Sequence, residues 1–83
     1  MTKLEVIKAN KEMYTRIEKM IETKTGLEKA VAELYMLRWA KGNKWMGGIS
    51  DNVANKVVET LMVMGYEFDD IMNEIDRQME EVK

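Results

Sequence analysis

Thr25-Gly26-Leu27-Glu28-Lys29-Ala30-Val31-Ala32-Glu33-Leu34-Tyr35-Met36-Leu37-Arg38-Trp39-Ala40-Lys41-Gly42 is the stretch that decides the fold. Leu27, Ala30, Val31, Leu34, Tyr35, Leu37 and Trp39 fall at helical steps and cover more than one face. A helix that is apolar most of the way round must be covered from several sides, so it belongs at the centre of a bundle. Thr25 followed three residues later by Glu28 has capping-box spacing, which starts the helix at residue 26. Gly42 suits the position just past its end, giving an expected helix over 26–41.

Working outward, Thr2-Lys3-Leu4-Glu5 repeats the capping-box form. Behind it Val6, Ile7, Asn10, Met13, Tyr14, Ile17, Met20 and Ile21 make one wide stripe at three- and four-residue steps, a helix over about 2–23. On the other side, residues 42–49 hold three glycines and read as a loop. Ser50 is placed to cap a third helix over about 51–64, and Gly65 to end it with Tyr66 packing back. Asp69 or Asp70 is placed to cap a fourth helix over about 69–82, with Phe68, Ile71, Met72, Ile75, Met79 and Val82 as its stripe. The expected architecture is all-α: one small compact bundle of four helices, a single domain over residues 1–83, with helix over about 75–85% of its length.

Composition narrows the function. The 83 residues include no Cys, no His and no Pro. Thiolate chemistry and the usual neutral-pH proton carrier are therefore missing. The only Ser, Ser50, is explained by its cap position. Asp69, Asp70 and Glu74 lack the loop spacing and glycine of a calcium loop. Gly47-Gly48 is not followed by the Lys-Ser/Thr pair of a phosphate loop. The chain is read as non-enzymatic, with no cofactor and no metal. Charges interrupt the first dozen residues, and the uncharged run 60–66 is far shorter than the roughly 20 residues a membrane span needs. The expected location is cytoplasmic.

Charge is unevenly spread. Residues 1–50 carry ten basic and six acidic side chains, a balance of +4; residues 51–83 carry three and nine, a balance of −6. Such complementary halves are either solvated helix faces or ends that dock, within the fold or between protomers. A helix-turn-helix reading of 51–64 and 69–82 would send the strongly acidic last helix into a groove lined by phosphates, which repulsion disfavours.

Leu61-Met62-Val63-Met64-Gly65-Tyr66 followed by a helix resembles the Met-Gly-Phe/Tyr loop of ubiquitin-associated domains. The resemblance covers about a third of the chain and implies a three-helix bundle that binds ubiquitin through that loop. The short third helix of that family has no counterpart here.

Arg38, Lys41 and Lys44 precede Trp45, which is followed by Met46 in a loop with little sequence to bury it. Tryptophan is enriched among the residues that dominate protein interfaces. Trp45 either anchors a partner with a cationic rim or folds back to plug the bundle. Arg38, Lys41, Lys44, Trp45 and Met46 are the candidate partner-binding residues. Val6, Asn10, Met13, Ile17 and Met20 are the candidate homodimer interface, with the polar Asn10 near its centre. The expected function is protein–protein binding by a small inhibitor or accessory factor of the kind phages and mobile elements encode, its partner a protein of unspecified identity. The alternatives are a nucleic-acid-associated regulator using the basic loop 38–45, and a small-ligand or nucleotide sponge with its site between protomers.

Overall fold

The computed structural model describes residues 2–42 and 48–82. Of these, 83% are helical and none lies in a strand. They form four helices: α1, Lys3–Ile21; α2, residues 26–42; α3, Asp51–Val63; and α4, Phe68–Glu81. The expected all-α bundle is what the chain builds.

Two expected caps are present. Thr2 Oγ1 accepts from the Glu5 amide at 3.2 Å. Its hydroxyl also donates to Glu5 Oε1 at 3.0 Å, in place of the reciprocal backbone bond of a full capping box. Ser50 Oγ accepts from the Val53 amide at 3.3 Å. After α3, Gly65 donates to the Met62 carbonyl and Tyr66 to that of Leu61, the paired bonds of a Schellman cap.

Two other caps differ from expectation. Thr25 makes no side-chain cap bond, because Gly26 turns left-handed (φ +56°) and carries the first helical amides away from the hydroxyl. Neither Asp69 nor Asp70 caps α4. The helix starts earlier, with Glu67 in the cap position and both aspartates already in the first turn, beside the positive end of the helix dipole.

The central helix is interrupted by a π turn at Ala32–Met36, where the Leu37 amide donates to the Ala32 carbonyl five residues back. The extra residue rotates the two ends of α2 relative to one another. The first part, Gly26–Val31, packs on α4, and the last part, Leu37–Gly42, packs on α1. The π turn itself touches α1, α3 and α4. Ala32, Met36 and Ala40, absent from the periodicity read along the sequence, are fully buried for this reason.

Ile17, Val31, Met36, Leu61 and Ile71 are the largest apolar side chains fully enclosed. Burying each is worth about 1.5–3 kcal/mol. Gly42 is the last described residue of α2 and lies within the helix rather than just past its end. Its carbonyl accepts from the Gly48 amide at 3.1 Å, which holds the end of α2 against the described residues that lead into α3. A Cβ on Gly42 would overlap the Gly48 carbonyl oxygen. Residues 43–47 lie outside the described residues.

The Cα trace measures 41 × 28 × 17 Å. Its thinnest direction holds about two helix layers, given interaxial distances of about 8–10 Å. With one layer of neighbours, α3 and α4 keep part of their apolar surface uncovered.

Candidate functional site

That uncovered surface forms a groove of about 290 Å³ between α3 and α4, floored by Tyr35 of the π turn. Ala54, Val58 and Met62 stand at four-residue steps along α3, so they share a wall. Phe68, Met72 and Ile75 share the other on α4. The Schellman cap at Gly65 sets the angle between the walls and brings Met62 and Phe68 to one end. Met62 and Phe68 are each 49% exposed and Met72 37%, large fractions for apolar side chains of this size. Two methionines and a phenylalanine make a surface that can adapt to a partner's shape.

The groove's rim is acidic. Glu59 lines it from α3. On α4, Asp69 and Asp76 stand three residues before and four after Met72, on the solvent side of the wall. None of these three carboxylates is in an ion pair among the described residues. Burial, with the Asp76 charge beside it, pushes the Tyr35 phenol above its ordinary pKa.

The ion pairs that do form lie elsewhere, where the turn after α1 meets the end of α4. Lys24, buried, pairs with Glu81 at 3.2 Å. Arg77 reaches Glu74 at 2.6 Å and Glu28 at 3.3 Å. Gln78, fully buried, donates to the Glu28 carbonyl and to Glu74, each at 2.8 Å. Its Oε1 has no hydrogen-bond partner among the described residues. Partial burial disfavours ionising Glu74, but the hydrogen bonds from Arg77 and Gln78 and the nearby Arg77 and Lys24 charges outweigh it and hold its pKa below the ordinary value. The basic first half and the acidic second half of the chain thus meet at Lys24–Glu81, within the fold.

The residues singled out in the sequence fall in different places. Arg38 is exposed, with Nη1 donating to the Leu34 carbonyl at 2.6 Å. It borders a second hollow between α2 and α3, opposite Lys56. Lys41 has an exposed side chain. Lys44, Trp45 and Met46 lie outside the described residues. In the α1 stripe, Ile17 is fully enclosed within the chain, Val6 and Asn10 are buried, and Met13 and Met20 are half-buried against the core. Asn10 has its partner inside the fold: Nδ2 donates to the Lys41 carbonyl at 2.9 Å.

Phe68, Met72 and Ile75 belong to the apolar stripe read for the last helix, and Tyr35 to that of the central one. The signal that marks them is local crowding: Met62, Val63, Met64 and Phe68 surround Gly65 on more faces than two helix ends can cover.

In comparisons with known proteins, no family model, no curated protein and no solved structure matches the chain. The likeness of residues 61–66 to a ubiquitin-binding loop is accounted for by the Schellman cap, which favours glycine followed by a residue that packs back. Among the described residues no group of three or more His, Cys, Asp or Glu could hold a metal, and no helix is long and apolar enough to cross a membrane.

Proposed function

We propose that the chain is a non-enzymatic protein–protein interaction module whose docking surface is the acidic-rimmed groove between α3 and α4. One observation carries this reading: Met62, Phe68 and Met72, from two helices, line one groove and stay between 37% and 49% exposed. A small domain is short of apolar surface to bury, and a contiguous apolar groove with a polar rim is the usual form of a protein docking site. A helix laid into such a groove would place its anchors on Phe68 and Met72 and its polar face toward Glu59, Asp69 and Asp76.

In this role the protein acts as a small inhibitor or accessory factor, of the kind phages and mobile elements encode, inside the cytoplasm. The basic residues Arg38 and Lys41 stand apart from the groove and are assigned to solubility and steering rather than to the contact itself.

The test is affinity capture from the source cells with the wild type and Met72→Asp side by side. A partner retained by the wild type and lost by Met72→Asp supports the groove. A partner retained by both but lost by Trp45→Ala would move the site to the loop.

A further inference from the structure

The groove has a complement on the same chain. Leu4 and Ile7, on the outer face of α1, are 76% and 52% exposed. Lys8 and Lys11 follow on that face, completing a row at i, i+3, i+4 and i+7. Both lysines are exposed, and neither is in an ion pair among the described residues. One surface is therefore an apolar pair edged by unpaired cations, and the other an apolar groove edged by unpaired carboxylates. In the single chain the two are unengaged: the row is exposed and the groove is open.

Resting on the groove's role as a docking surface, we propose that it receives the Leu4–Ile7–Lys8–Lys11 face of α1 from a second copy of this chain. Leu4 and Ile7 enter between Met62, Phe68 and Met72, while Lys8 and Lys11 meet Asp69 and Asp76. This contact joins two different surfaces, so each copy keeps one free donor and one free acceptor, and the assembly grows past a dimer or closes as a ring. It differs from a two-fold pairing through the inner α1 stripe, where Ile17 and Asn10 are already covered within the chain. The overall charge polarity of the sequence acquires a use: the basic first helix of one copy finds the acidic last helix of the next.

The test is sedimentation velocity from micromolar to millimolar concentration on four full-length samples: wild type, Leu4→Glu/Ile7→Glu, Met62→Glu/Met72→Glu, and an equimolar mixture of the two variants. Wild type is expected to gain mass beyond two chains as concentration rises. Each variant alone associates more weakly, with its dissociation constant raised about tenfold or more, as loss of an interface anchor does. The mixture forms a dimer that stops at one copy of each, because only one competent pair remains. Circular dichroism confirms that the variants fold. The surface variant Asp69→Lys/Asp76→Lys, which alters no core residue, repeats the test by weakening association and regaining it when mixed with Lys8→Glu/Lys11→Glu. A wild type monomeric throughout, a variant that associates alone as tightly as the wild type, or a mixture that associates no better than the variants alone overturns self-docking. If the wild type is monomeric while Met72→Asp loses a captured partner, only self-docking fails and the groove stands. If the wild type associates as described while capture does not depend on the groove, self-docking stands and the wider binding role fails.

Discussion

The Asn10 side-chain amide donates to the main-chain carbonyl of Lys41 at 2.9 Å, tying the middle of α1 to the last turn of α2. The carbonyls of a helix's last turn have no partner within the helix, and Asn10, buried in an otherwise apolar stripe, supplies one. A polar residue that looked suited to an interface between protomers is thus used inside one chain. Asn10→Ala leaves the carbonyl without this donor and opens a small gap, with an expected loss of about 1–3 kcal/mol. In a domain of this size each kcal/mol lowers Tm by about 4–8 °C. Thermal melting followed by circular dichroism checks this, and an unchanged Tm would show that the bond contributes nothing.

Gly42 offers a test of sign. Replacing a glycine inside a helix with alanine ordinarily stabilises by roughly 0.5–1 kcal/mol. At Gly42 the added methyl would meet the Gly48 carbonyl oxygen, backbone that cannot move without breaking the 3.1 Å bond between the two residues. Gly42→Ala is therefore expected to destabilise, by about 1–3 kcal/mol, the usual range for overpacking. Chemical denaturation measures the sign directly.

Glu74 makes the fold sensitive to acid. Its pKa in the folded chain lies below its ordinary value of 4.5. The unfolded chain thus binds the proton more readily, and the stability this carboxylate contributes is fully present above that value and lost as pH falls through the folded pKa. Glu74→Gln removes the charge that holds Arg77 and Gln78. The gap in stability between wild type and Glu74→Gln is expected to be widest near neutral pH and to close in acid. Urea midpoints measured across that range check the trend; a gap that widens in acid would contradict it.

The caps at Thr2 and Ser50 and the stop at Gly65 were legible because each depends on neighbours in sequence, and the central place of the helix read over 26–41 because its apolar residues cover more than one face. The π turn at Ala32–Met36 was not, since an extra residue in a helical turn leaves the apolar pattern readable as an ordinary helix covered on several sides. Thr25 misled because its hydroxyl was suitable but the left-handed Gly26 moved the amides. The groove was hidden for a different reason. Periodicity says which residues share a face of a helix, and Met62, Phe68 and Met72 do lie on their apolar faces. Whether a face is covered depends on how many neighbours pack there, and in a bundle about two layers deep α3 and α4 run short of them.

The most direct measurement of the groove's role is site-specific photo-crosslinking in the source cells, with a photoreactive side chain placed at Met72 in one sample and at Arg16 of α1 in another. Partner-bearing adducts are expected at residue 72, reduced when Met62→Glu is added, and absent at residue 16. Equal adducts at both positions, or none at residue 72 while a crosslinker at Lys41 captures a partner, would contradict a docking site between α3 and α4.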